Sequence, residues 1–291
     1  MRHIDEFNIT QAVIAQHASA RDVRLRELMT SLVQHLHGFA REVKLSESER
    51  AEGLRFLAAC GRAGRDGRHE FGLLCDTLGL STLVTALDQR KPEGCTEATL
   101  PGPFDVEGSQ HLAHGEDLAP GANGEPCFVQ GRVRALDGTA VAGAQIHVCH
   151  GDADGVYARS AGAAQAPRAA GTLSSAADGS FHFKSIVAAP HTIAHDGPVA
   201  RMLQALGRQP WRPAHLHFMI TAPGFEPLVT HVFRAGDRYL DSDAVFAVRR
   251  SLVTDWVQHA PGRTPDGQTS AVPFCTLDFE FVLNATTGDK P

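Results

Sequence analysis

Two histidines with one residue between them, His215 and His217, lie in a stretch running from Pro210 to Ile220. On a β-strand, side chains alternate faces with a period of two, so both imidazoles can reach one metal ion. His215, His217 and Met219 then share one face, and Leu216, Phe218 and Ile220 the other. Pro213 suits the start of such a strand, where no ladder donor is required. A His-x-His pair fits two half-exposed histidines on a polar sheet face equally well. The chain holds 16 histidines but only two tyrosines, Tyr157 and Tyr239. Its six cysteines form no Cys-x-x-Cys pair, which excludes a zinc ribbon and a thioredoxin-like motif.

The 291 residues are 43% hydrophobic and 21% charged, an ordinary balance for a globular protein of one large or two modest domains. A net charge of −6 argues against a nucleic-acid partner. No apolar run approaches the length that spans a bilayer, and the N-terminus lacks the order of a signal peptide. The expectation is a cytoplasmic protein, not inserted in a membrane, whose cysteines are free thiols and mostly buried.

Residues 1–90 read as helical. Leu25, Leu28, Met29, Leu32, Val33, Leu36 and Phe39 form the stripe of an amphipathic helix. Ser46 and Glu49 form a capping box that opens the next helix. Gly61 to Gly67 reads as a loop, followed by helices near Glu70–Thr77 and Leu80–Asp88. Residues 91–126 are rich in Gly, Pro and Glu and read as a connector wrapped on the following domain. From Cys127 strands take over, at 128–133, 145–149, 181–183, 215–220, 228–233 and 275–282. Turn signals between them favour an antiparallel β-sandwich over 127–291. Val245, Phe246, Val248, Leu252, Val253 and Trp256 suggest a helix from Asp243 to Gln258 between strands.

Arg212 to His217, followed by Thr230 to Phe233, resembles an intradiol ring-cleavage dioxygenase, and within that family the kind that acts on hydroxyquinol. The resemblance runs through nearly the whole chain: Ser31–His37, Asp76–Gly79, Gly102–Phe104, Gly124–Pro126, Asp154–Tyr157, Asp196–Val199, Leu206–Arg208 and Gly236–Phe246. The order and spacing of these pieces are specific for the fold.

The resemblance implies a mainly β protein: an antiparallel β-sandwich catalytic domain with an N-terminal all-helical dimerisation domain. It implies one non-haem iron(III) per chain and cleavage of a small aromatic diol or triol by dioxygen between its adjacent hydroxyls, giving a hydroxymuconate or maleylacetate. It also implies a homodimer, with a phospholipid held between the helices. The family's iron is bound by two tyrosinates and two histidines. Tyr157, His215 and His217 match three of these positions. The second tyrosinate position, 24 residues before the first histidine, is His191. Phenolate is a hard anionic donor that favours iron(III), whereas imidazole is neutral. In the family that tyrosinate also leaves the metal and takes a substrate proton, a role that would fall to His191. His195 is a rival for it.

Arg212 matches a cation beside the bound catecholate, where it offsets negative charge on the ring. His231 matches a pocket position, Leu73 and Asp76 the helix lining the substrate, and Leu100, Gly102 and Pro103 the segment over the pocket. Cys149 stands where the family usually has tryptophan. These departures keep a second function open: a family member that binds a phenol or a metal without cleavage, or acts on an unusual phenol.

Overall fold

The computed structural model describes residues 3–64, 69–102, 110–153 and 169–286. Tyr157 and Pro103 therefore lie outside the described residues. The chain divides into two compact units, Met1–Arg65 and Asp66–Pro291.

The first unit holds α1 (Ile9–Gln16), α2 (Val23–Glu42) and α3 (Glu47–Ala63). Asp22 caps α2 by accepting from Leu25 N–H at 3.0 Å. The capping box at Ser46 and Glu49 is present at the start of α3. Arg41 ties α2 to α1 by donating to the Glu6 carbonyl and the Thr10 hydroxyl, both at 2.8 Å. The expected loop does not begin at Gly61, because α3 continues through Gly61 to Ala63, and the rest of that stretch from Arg65 lies outside the described residues. One helical glycine costs only about 1 kcal/mol, which does not end a well-capped helix.

The second unit opens with α4 (Glu70–Thr77) and α5 (Leu80–Asp88), so these two helices belong with the strands. Glu70 is buried and accepts from Val199 N–H, at the start of α6 (Pro198–Ala205). The strands in order are β1 (Gln110–His111), β2 (Pro126–Ala135), β3 (Gln145–Cys149), β4 (Ala170–Ser174), β5 (Ser180–Ile186), β6 (His191–Thr192) and β7 (Trp211–Arg212). They continue with β8 (His215–Thr221), β9 (Leu228–Arg234), β10 (Val253–Thr254), β11 (Val257–His259), β12 (Gly262–Arg263), β13 (Thr269–Ser270) and β14 (Phe274–Leu283).

One sheet has the order β1-β4-β3-β8-β9-β10 and a second the order β11-β14-β2-β5. Ile146, Val148, Leu216, Phe218 and Ile220 from the first share one core with Val129, Val133, Phe181, Phe183, Leu277 and Phe281 from the second. Two layers meeting through alternate residues make a β-sandwich. Gly131 on β2 lets the neighbouring strand β14 of the same sheet approach closely: a Cβ there would sit 2.1 Å from the Phe279 carbonyl oxygen. The sandwich is mixed rather than purely antiparallel, since β14 with β2, β1 with β4, and β10 with β9 pair in parallel.

The expected helix from Asp243 to Gln258 does not form. A 3-10 turn at Arg250–Leu252 and the strands β10 and β11 occupy it instead. The Asp243 carboxylate accepts from Val245 N–H and Ala247 N–H, and Phe246 adopts φ 58°, which an α-helix forbids.

All six cysteines are free, and Cys60, Cys127, Cys149 and Cys275 are buried. No single helix among the described residues is long and apolar enough to cross a membrane.

Candidate metal centre

β8 sends Leu216, Phe218 and Ile220 into the core and His215 and His217 to the opposite face. Both histidines are buried, at 2% and 3% exposure, which excludes the polar-face reading. β9 runs antiparallel to β8 and sets His231 across from His217 and Phe233 across from His215. The His231 ring stacks on His217 at 3.9 Å between centroids and meets His215 edge-on at 4.7 Å. The short pair β6–β7 places His191 opposite Arg212 and brings the His191 ring to 5.2 Å from His215. Three separate stretches of chain thus bring four imidazoles and one guanidinium together.

Hydrogen bonds fix which ring nitrogen carries the proton. His215 Nδ1–H donates to the Pro213 carbonyl at 2.8 Å, which leaves its lone pair on Nε2. His217 Nε2–H donates to the Leu100 carbonyl at 3.1 Å, which leaves its lone pair on Nδ1. His231 Nε2 faces Arg212 Nη2 at 3.4 Å. Arginine can only donate, so Nε2 accepts and Nδ1–H of His231 donates to the Thr99 hydroxyl at 2.5 Å.

Burial, and then the Arg212 charge, lower His191 and His217 to about 3. The same causes hold His215 well below the usual imidazole range. Burial and the neighbouring His217 do so for His231. At neutral pH all four rings are uncharged, the form in which imidazole binds a metal.

Arg212 is anchored by a buried carboxylate: its Nε donates to Asp243 Oδ1 at 3.1 Å. Gly102 lies against the site, where a Cβ would come within 2.1 Å of His217 Cε1 and Nδ1. Leu100 is buried beside Phe233 and Val245. Cys149 pairs with His217 across β3 and β8, and burial pushes its thiol up to about 12. It is an uncharged small group in the wall of the site.

His191, Arg212, His215, His217 and His231 are thus brought together, with Leu100 and Gly102 against His217. Leu73 and Asp76 sit half-buried on α4, and neither joins the histidine group by a hydrogen bond or ion pair. His195 is exposed, 3.4 Å from the Thr192 hydroxyl. Among the described residues no set of three His, Cys, Asp or Glu side chains is gathered as a complete metal site. Sequence reasoning missed Thr99 and Asp243. The first carries no motif. The second lies in the matching stretch Gly236–Phe246, where it reads as a helix start.

The "Dioxygenase" family model matches residues 104–285, and that for the "Catechol dioxygenase N terminus" matches 22–96. A 6-chlorohydroxyquinol 1,2-dioxygenase of Cupriavidus pinatubonensis is 54% identical over 286 residues, covering 98% of this chain and 100% of that one. A hydroxyquinol 1,2-dioxygenase of Nocardioides simplex is 43% identical, covering 96% of this chain and 95% of that one. The crystal structure of a Pseudomonas putida hydroxyquinol 1,2-dioxygenase superposes with a TM-score of 0.89 at 40% identity, covering 96% and 98% of the two chains.

Proposed function

The chain belongs to the intradiol ring-cleavage dioxygenases, and we propose that it cleaves hydroxyquinol, or a near relative such as its 6-chloro derivative, between the adjacent hydroxyl-bearing carbons. The end-to-end identity with a 6-chlorohydroxyquinol 1,2-dioxygenase carries this reading. The product is a hydroxymuconate that tautomerises to a maleylacetate.

The family implies non-haem iron(III). The donor chemistry fits it: His191 and His215 are neutral and adjacent, and the Pro213 carbonyl orients His215 as outer-shell partners orient metal-binding imidazoles. Tyr157, His191, His215 and His217 would hold the metal. Bound there, iron(III) supplies a hard Lewis acid that favours the substrate as a dianion and makes its ring electron-rich.

The chain's own residues do the rest. Arg212 offsets the substrate's negative charge from a largely buried position, where an electrostatic contact is strong. Leu100 and Gly102 close on His217 and, with Pro103, cover the substrate, while Leu73, Asp76 and His231 line its pocket. His191 is the fourth donor and the candidate proton acceptor. With its ring held at about 3, the donor role is favoured over uptake of a proton.

The same reading includes a cytoplasmic homodimer formed through the helical unit. Leu25, Leu28, Leu32, Leu36 and Phe39 on α2 are each about half exposed in the single chain, a face that a second copy and a phospholipid would cover. Light scattering should give twice the 31.2 kDa of one chain. A mass of one chain at micromolar concentration would remove the dimer from the reading.

The function is tested by giving hydroxyquinol and dioxygen to iron-loaded protein and detecting the ring-opened acid. His215→Ala serves as the control. Product at the control level, with one iron bound per chain, would leave a binding protein in place of an enzyme.

A further inference from the structure

Among the described residues, Arg212 has two of its three guanidinium corners in use: Nε on Asp243 at 3.1 Å and Nη2 on His231 at 3.4 Å. Neither bond uses Nη1. Asp243 is only 5% exposed, and its carboxylate is itself held. Oδ1 also accepts from Val245 N–H at 3.3 Å, and Oδ2 accepts from Ala247 N–H at 2.9 Å. A carboxylate with three donors in the interior does not swing. A planar guanidinium bonded through Nε does not turn about its last bond. On its other side His231 is held by Thr99, so that a chain of four residues runs Thr99, His231, Arg212, Asp243.

We infer that Asp243 is a positioning residue for Arg212, fixing the guanidinium plane so that its remaining corner faces the anion held beside His191, His215 and His217. The inference rests on the proposed reading of this site as an intradiol centre. The location of the charge supports it, since Arg212 lies directly opposite His191 across β6 and β7, and the His191 ring stands 5.2 Å from that of His215. A carboxylate placed only for stability would have no need to engage Nε of the arginine that, among the described residues, stands beside those rings.

A double-mutant cycle separates the two roles. Wild type, Asp243→Asn, Arg212→Gln and the double variant are loaded with iron and compared on hydroxyquinol. Asp243→Asn should lower kcat about 10- to 100-fold, the usual loss when an outer-shell hydrogen-bond partner is removed, and should change KM little. In the Arg212→Gln background it should add less than about two-fold, the limit within which independent effects are resolved. Asp243→Glu, which keeps the charge, should recover part of the kcat. Equal losses in both backgrounds, or a lower Tm with unchanged kcat, would overturn the inference.

If Asp243→Asn does not fold, Asp243→Glu takes its place in the cycle. If the wild type makes no ring-opened product, the functional reading fails. The positioning claim is then read from the affinity of the same four proteins for 4-nitrocatechol, whose colour reports its ionisation. Coupling between positions 212 and 243 in that affinity supports the claim, and additive effects overturn it.

Discussion

Replacing Gly102 with alanine places a methyl group where the structure has no room for one. The added Cβ would stand 2.1 Å from both Cε1 and Nδ1 of His217 and 2.9 Å from Nε2. An unstrained carbon–carbon contact is about 3.5 Å, so the overlap exceeds 1 Å by that measure. The ring cannot yield on its far side, where it stacks on His231 at 3.9 Å. It is tethered as well, through Nε2–H to the Leu100 carbonyl. Either the backbone at Leu100–Gly102 withdraws and that bond breaks, or the His217 and His231 rings move together. Overpacking of this kind costs about 1–3 kcal/mol, and a displaced metal-binding imidazole weakens affinity by about 10- to 100-fold. Iron uptake against a competing chelator, with Tm measured on the metal-free protein, reads both effects. Unchanged iron affinity together with unchanged Tm would show that Gly102 does not pack on His217.

Acid should destabilise the metal-free protein early. His217 is held at about 3 by burial and then by Arg212, against about 6.5 for a free imidazole. The unfolded chain therefore binds a proton that the folded chain refuses, and stability falls as pH drops from about 6.5 toward 3. His217 alone contributes on the order of 1 kcal/mol per pH unit across that window. A urea midpoint flat between pH 7 and pH 5 would contradict this. Phe218→Ala, on the core side of β8, should cost about 3–5 kcal/mol, because Phe218 is 1% exposed and packs near Phe281. Urea denaturation measures it, and a loss below about 1 kcal/mol would contradict its place in the shared core. His191→Tyr should shift and strengthen the tyrosinate-to-iron absorption that Tyr157 alone gives the iron-loaded parent, and the same spectrum as the parent would place residue 191 away from the metal.

The strand carrying His215 and His217 was legible because its alternation is strict and one face is wholly apolar. The helices from Val23 to Asp88 were legible from their stripes and from the capping box at Ser46. The direction of pairing was not. Alternation marks Phe128–Val133 and Cys275–Val282 as strands but does not say that they run parallel, since that depends on a crossover of more than a hundred residues. The stretch from Asp243 to Gln258 misled because its apolar spacing does fit a helix. What decides it is an arginine 31 residues earlier that claims the Asp243 carboxylate, together with the backbone donors of Val245 and Ala247. Thr99 gave no sign in the sequence, because its role comes from lying against a strand that arrives 132 residues later.

The most direct measurement uses dioxygen labelled with heavy oxygen. Iron-loaded protein turns over hydroxyquinol under the labelled gas, and the acid is examined by mass spectrometry. The expected result is a ring-opened acid carrying both heavy atoms, with none formed by the His215→Ala control. An intact quinone, or a ring-opened product without the label, would contradict intradiol cleavage at the histidine group.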